Sequence, residues 1–317
     1  MTRRGLARAI VALVLAPAAL GATSPPAPRR AFTLGVLRRD GIVIPFATFD
    51  GREWRNDWPP PQAHVDVPVN LASVPKHWWG KPGPRGEWQG RVGAEPARVL
   101  HVTQPDWFPA QCFRQVGLRT DYRPDRPAPP IDTQPYPKDG LAVSPPIDIE
   151  PIEIVPPGEV TTPVLEAFDL AESVRLEMTW PRLLPVPSNE EERQAVPVKI
   201  EATYAYGPAN GRRVYYIEAS RTHPDPHDGA ACGAVTFGGG WFVRDGAGPL
   251  TAFGFDASIV KCDRYGLAYM LPLGVVQAAG RLFWIAQWSG WDYERYEVVE
   301  ITQKKAVPVL AAFGGSC

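Results

Sequence analysis

An antiparallel, nearly all-β architecture is expected of this chain of 317 residues, on three grounds. Apolar side chains recur at every second position in one segment after another, the spacing that turns one face of a strand toward a core. Short turns rich in Gly, Pro, Asn and Asp separate these segments. Helical start signals occur at only two places, Thr162 and Ser188. The 37 Pro and 29 Gly stay short of a disordered composition, and aromatic residues make up a normal 10%. The chain therefore folds, with few short helices.

The first segment reads as an address. Arg3, Arg4 and Arg8 flank an uncharged apolar run from Ala9 to Leu20, followed by the small residues Gly21 and Ala22 and then by proline. The run is too short to span a bilayer, and the pattern is that of a secretory signal peptide over 1–22. No Cys follows it to carry a lipid, so a secreted or periplasmic product without a membrane anchor is expected. Its removal leaves 30 Lys+Arg against 34 Asp+Glu, a balance of −4. Basic residues never run longer than two, which leaves no electrostatic footprint for nucleic acid.

The N-terminal β-rich part spans 31–123. Phe32–Leu37 and Ile42–Phe49 flank Arg38-Arg39-Asp40-Gly41, and an Asp-Gly pair between alternating apolar runs is a strong hairpin signal. Val99–Gln104 and Gln111–Arg119 read as further strands. Residues 124–163 hold twelve prolines, which predicts an irregular, extended crossover. Within it Ile147–Glu150 and Ile152–Ile154 alternate, as at a sheet edge, where proline is tolerated.

The C-terminal β-rich part spans 164–317. Thr162 is placed to cap a helix over Pro163–Leu170, because proline suits the first helical position. A second short helix is expected over Asn189–Ala195, while Val174, Leu176, Met178 and Trp180 alternate like a strand. Strands are then predicted over 196–206, 212–220, 233–244, 250–261, 267–277, 281–288, 293–301 and 306–313.

One internal echo bears on topology. Leu34-Gly35-Val36, a turn at Gly41 and Gly51 with Trp54 are matched by Leu273-Gly274-Val275, a turn at Gly280 and Gly290 with Trp291. Matching terminal hairpins around an antiparallel meander suggest a β-propeller-like ring closed by the first and last strands, with two packed β-sandwich domains as the alternative. Cysteines refine the picture. A turn centred on Ala247 sets Cys232 opposite Cys262, provided that no bulge intervenes near Gly238–Gly240, and elimination pairs Cys112 with Cys317.

Chemistry has few footholds. No G-x-S-x-G, H-E-x-x-H, C-x-x-C or P-loop occurs, so no cofactor is implied. Ser73–Lys76 matches S-x-x-K in letters, but Pro75 argues against the helix that motif requires. His223, Asp225, His227 and Asp228 are the densest set of potential metal ligands, although two prolines stiffen that loop against wrapping an ion. Tryptophan is more informative. Asp50, Glu53 and Trp54 at one echoed hairpin, and Trp288, Trp291 and Asp292 at the other, combine aromatic faces with carboxylates suited to stacking on and bonding a sugar.

Three functions fit these residues. The first is an exported binding or scaffold protein that contacts glycan or an envelope protein. The second is a glycan hydrolase or lyase using two of Asp50, Glu53, Asp292 and Glu294, held about 5–9.5 Å apart. The third is a metal-dependent enzyme on the His223 loop. Export itself has a direct check: N-terminal sequencing of the exported product should begin at Thr23, and recovery of Met1 there would rule out cleavage.

Overall fold

The computed structural model describes residues 31–63, 87–130, 133, 136–178, 185–229 and 231–317. The signal segment 1–22, the Ser73–Lys76 motif, His64, His77 and Trp180 lie outside the described residues.

The N-terminal strands are β1 (Phe32–Arg38), β2 (Ile42–Phe49), β3 (Trp54–Arg55), β4 (Glu87–Arg91), β5 (Arg98–Ala110), β6 (Phe113–Thr120) and β7 (Lys138–Ser144). Six of them close a barrel in the order β1-β7-β4-β5-β6-β2, with β1 pairing β2 to complete the ring and β3 appended to β2. The Asp40-Gly41 hairpin forms as expected, with Gly41 at φ 81, a conformation that glycine adopts without steric cost. Inside the barrel Trp88 packs with Leu37, Val43, Leu100, Val116 and Leu118. A side chain at Gly35 would meet Val43 and Trp88, so that glycine makes room for the indole. Trp58 closes the same core and donates its indole N–H to the Val116 carbonyl (2.7 Å).

A short edge strand, β8 (Glu153–Ile154), and α1 (Thr161–Met178) and α2 (Glu190–Gln194) lead into a five-stranded sheet. That sheet runs in the order β12-β11-β10-β9-β8, with β9 (Lys199–Tyr206), β10 (Arg212–Pro224), β11 (Cys232–Asp245) and β12 (Thr251–Val260). A meander of β13 (Ala268–Ala278), β14 (Arg281–Gly290), β15 (Tyr293–Ile301) and β16 (Ala306–Ser316) forms a four-stranded sheet.

These bodies stack in layers. Phe283, Ile285, Tyr296 and Val298 of the four-stranded sheet pack on the outside of β1 and β2, against Leu34, Ile44, Phe46 and Phe49. Trp284, Ala286 and Val299, alternating with them, pack on Val214 and Tyr216 of the five-stranded sheet. The opposite face of that sheet, with Tyr215, Ile217 and Phe242, receives Val164 and Phe168 of α1.

The all-β expectation holds, but the ring of blades does not form. β7, hidden between prolines of the crossover, closes the N-terminal strands on themselves, and the ladder of β16 is with β15 rather than β1. The two C-terminal sheets do pack face to face, as in a sandwich, whereas the N-terminal half is a barrel. Val174–Met178 continues α1 instead of forming a strand. The reason is that the third inward position of the helix, after Val164 and Phe168, is Glu172, which breaks the apolar helical period.

Both disulfides pair as expected, Cys232 with Cys262 and Cys112 with Cys317. The first does not close across the expected ladder register. A bulge between Trp241 and Phe242 shifts the ladder, so Val235 faces Val260 whereas Val243 faces Thr251. The bond closes past the end of β12, where the chain has left the ladder and brings the two Cα atoms to 6.0 Å.

Trp88→Ala should lower stability by about 3–5 kcal/mol in urea unfolding, because it empties the barrel centre. Trp291→Ala, at an exposed turn, should stay within about 0.5 kcal/mol of wild type; equal losses at both positions would contradict this division between core and surface.

Candidate functional site

The end of the four-stranded sheet that carries the β14–β15 turn gathers exposed aromatic residues. Antiparallel register sets Met270, Trp288, Arg295 and Phe313 side by side across β13 to β16. The row runs from buried Met270 to exposed Phe313. Trp288 is held edge-on to Tyr216 at 5.6 Å and donates its N–H to Glu297 (2.5 Å). The Arg295 guanidinium lies 5.3 Å from the Trp288 ring centre, a cation–π contact. Phe313 meets Phe113 of the barrel edge-on at 5.6 Å.

Beyond this row Trp291 occupies the turn between β14 and β15, and 70% of its surface is exposed. Tyr265, 58% exposed, reaches it from the loop between β12 and β13, with ring centres 6.3 Å apart at 78°. The Tyr265 hydroxyl donates to Asp292 (3.0 Å), and that hydrogen bond raises the phenol's pKa. Asp263 accepts the Tyr265 backbone N–H (3.0 Å). Arg264, in the left-handed region at φ 59, turns inward to bond both oxygens of Glu201 (2.9 and 2.7 Å) and the Tyr269 hydroxyl (3.1 Å). The loop thus sends its cation into the molecule and its aromatic ring outward.

The other candidate positions do not join this cluster. Asp50 accepts the backbone N–H groups of Arg52 and Glu53, both at 2.9 Å, and those bonds hold its carboxyl below the usual range. Its second oxygen pairs with Arg55 (3.0 Å), and Glu53 is exposed. Trp54 is a core residue, within 5.5 Å of the Phe32, Phe49 and Phe283 ring centres. This turn receives Arg281, the first residue of β14, on the Arg52 carbonyl (2.8 Å), whereas Trp291 follows the last. The two candidate groups therefore lie at opposite ends of one strand, about 30 Å apart at the usual rise per residue.

Glu294 is buried against the barrel, where both of its oxygens accept from Lys138 (3.0 and 2.8 Å). Burial pushes the Lys138 amine below its ordinary value although Glu294 opposes the shift. His223 is fully buried in β10 and meets Glu172 at 3.0 Å, while Asp225 caps the next turn by accepting the N–H of His227 (2.8 Å). Among the described residues no three His, Cys, Asp or Glu side chains converge as a metal-binding group.

Sequence reading missed the buried polar groups. Glu172 bonds Arg221, His223 and, at 3.6 Å, Arg193, in a network beneath α1. Burial alone would raise its pKa, but hydrogen bonds from His223 and Thr236 and the Arg221 charge bring the net value below normal. Glu218 lies between the two C-terminal sheets, accepts the Met270 N–H (2.7 Å) and is raised to about 7, chiefly by burial. An acid at an inward position of β10, between Tyr216 and Ser220, was the available signal.

Compared with known protein families, curated proteins and solved structures, the chain matches none.

The raised Glu218 pKa has a pH consequence. The folded state keeps this proton up to about pH 7, whereas the unfolded chain releases it near 4.5, the ordinary value for a glutamate. Stability associated with the protonated carboxyl is complete below the unfolded value and is lost as pH rises through the folded one, about 3 kcal/mol in all. Urea unfolding at pH 4.5 and pH 8 should show this loss in wild type and its removal in Glu218→Gln. An identical pH dependence in both proteins would exclude it.

Proposed function

We propose that the chain is an exported binding or scaffold protein, and that it meets a glycan through the aromatic end of its four-stranded sheet. One observation carries this reading. Trp291 and Tyr265 stand largely in solvent beside the Asp292 carboxylate, whereas Trp54, Trp58, Trp88 and Trp284 are buried in the cores. An exposed indole contributes little to folding, but its face can cover the C–H face of a sugar ring while a neighbouring carboxylate accepts hydroxyl protons.

The angle between the rings narrows the ligand. Planes at 78° cannot both lie flat on one extended surface. They suit a single glycan chain or chain end, stacked on one ring and flanked by the other. Arg295 and Trp288 extend the contact along the row toward Phe313. The two disulfides are compatible with an extracellular or periplasmic location, in line with the signal-like first segment.

A glycan array probed with the oxidised chain tests the reading. Wild type should retain at least one glycan class, and Trp291→Ala with Tyr265→Ala should weaken that binding about tenfold or more. No retention by wild type would remove the glycan from the proposal. Unchanged binding by the double variant would remove the site.

A further inference from the structure

We propose that the two disulfides act together as a clamp on the aromatic end, so that ligand binding depends on the oxidised state of the chain. This inference rests on the binding function proposed above and adds its regulation.

Connectivity is the first support. Cys262 lies three residues before Tyr265 and is bonded to Cys232 at the start of β11. This bond anchors one limb of the loop that presents the tyrosine, and Arg264 on Glu201 anchors the middle. Cys317 is bonded to Cys112, and its backbone N–H donates to the Asp292 carbonyl (2.7 Å). The bond therefore holds the last residue against the turn that presents Trp291. On its other side Cys112 donates its N–H to Ser316 (3.0 Å) and precedes Phe113, whose ring meets Phe313.

Position is the second support. All four cysteines are exposed, and none belongs to the four hydrophobic cores. Barrel and sheets are packed without them. What the bonds restrain is the pair of loops that carry Tyr265 and Trp291, elements that would otherwise be among the first to open. Holding the rings in place before a ligand arrives removes an ordering cost from binding.

Exposure also makes the clamp reversible. A dithiol reductant attacks one sulfur as thiolate and expels the other, forming a mixed disulfide, and its second thiolate then closes on its own sulfur and expels the remaining protein thiolate. For each bond broken the chain gains two thiols, and the reductant becomes a disulfide, so two electrons and two protons pass to the protein. The Tyr265 loop then loses its covalent anchor, and the Trp291 turn loses the fixed position of the Cys317 amide bonded to it.

Hydrogen exchange without ligand tests the clamp separately from the glycan. In Cys232→Ser with Cys262→Ser, amides of 261–267 should exchange about tenfold faster or more, and in Cys112→Ser with Cys317→Ser those of 290–292 should do so, while the barrel strands keep their protection. Should a serine pair fail to fold, folded wild type reduced with limiting dithiol and trapped with iodoacetamide supplies the same open form. Unchanged exchange at both loops overturns the proposal. For a glycan retained by oxidised wild type, each open form should bind about tenfold more weakly or worse; equal binding also overturns it. Faster exchange in a chain that retains no glycan would preserve the clamp and sink only the ligand assignment.

Discussion

Burial of the four-stranded sheet on both faces is the constraint on which the rest of the structure depends. Along β14, Phe283 and Ile285 face the barrel while Trp284 and Ala286 face the five-stranded sheet. Strict alternation sends successive side chains to opposite cores, so a shift of one residue would exchange the contents of both. Tyr216, Trp241, Trp284 and Trp288 interlock edge-on between the two C-terminal sheets, with ring centres 5.0–5.6 Å apart. No helix is needed to cover this sheet. That explains how so few helical residues suffice.

Buried charges mark the junctions between layers. Lys138 of β7 pairs with Glu294 of β15 where the barrel meets the four-stranded sheet. Nearby, Arg38 bonds Asp40 and the Pro109 carbonyl and lies 3.9 Å from the Tyr136 ring centre. Glu172 joins α1 to Arg221 and His223 of the five-stranded sheet. Replacing one partner of such a cluster leaves the other charged and dry, which costs more than the pair contributes. Such buried pairs add little to net stability, because both partners lose water when they form.

Two-sided burial also determines which surface of the sheet stays free. The faces of the central sheet are occupied, so its unshared surface lies at its ends and along its two edges. One end is closed by Arg281, bound to Glu300 and to the Arg52 carbonyl. The other end leaves Trp291, Tyr265, Arg295 and Phe313 in water. There, Cys262 lies in the loop that carries Tyr265, and Cys317 is hydrogen-bonded to the turn that carries Trp291.

Much of the fold was legible from residue order, and for local reasons. Period-two alternation placed most strands of the C-terminal half, the Asp40-Gly41 turn placed the first hairpin, and cysteine pairing followed from chain proximity and elimination. Where a local signal was diluted, reading failed. β7 lay among prolines, Glu172 interrupted the inward stripe of α1, and the bulge beside Trp241 spoiled the inferred register.

The candidate site was half legible. Trp54 and Trp291 occupy echoed hairpins and have similar neighbours, yet one is core and the other surface. Composition determined that tryptophans and carboxylates adjoin in turns. Only the stacking of layers decided which turn was covered, because burial of Trp54 depends on Phe283, 229 residues away in the chain, and no local pattern encodes that distance.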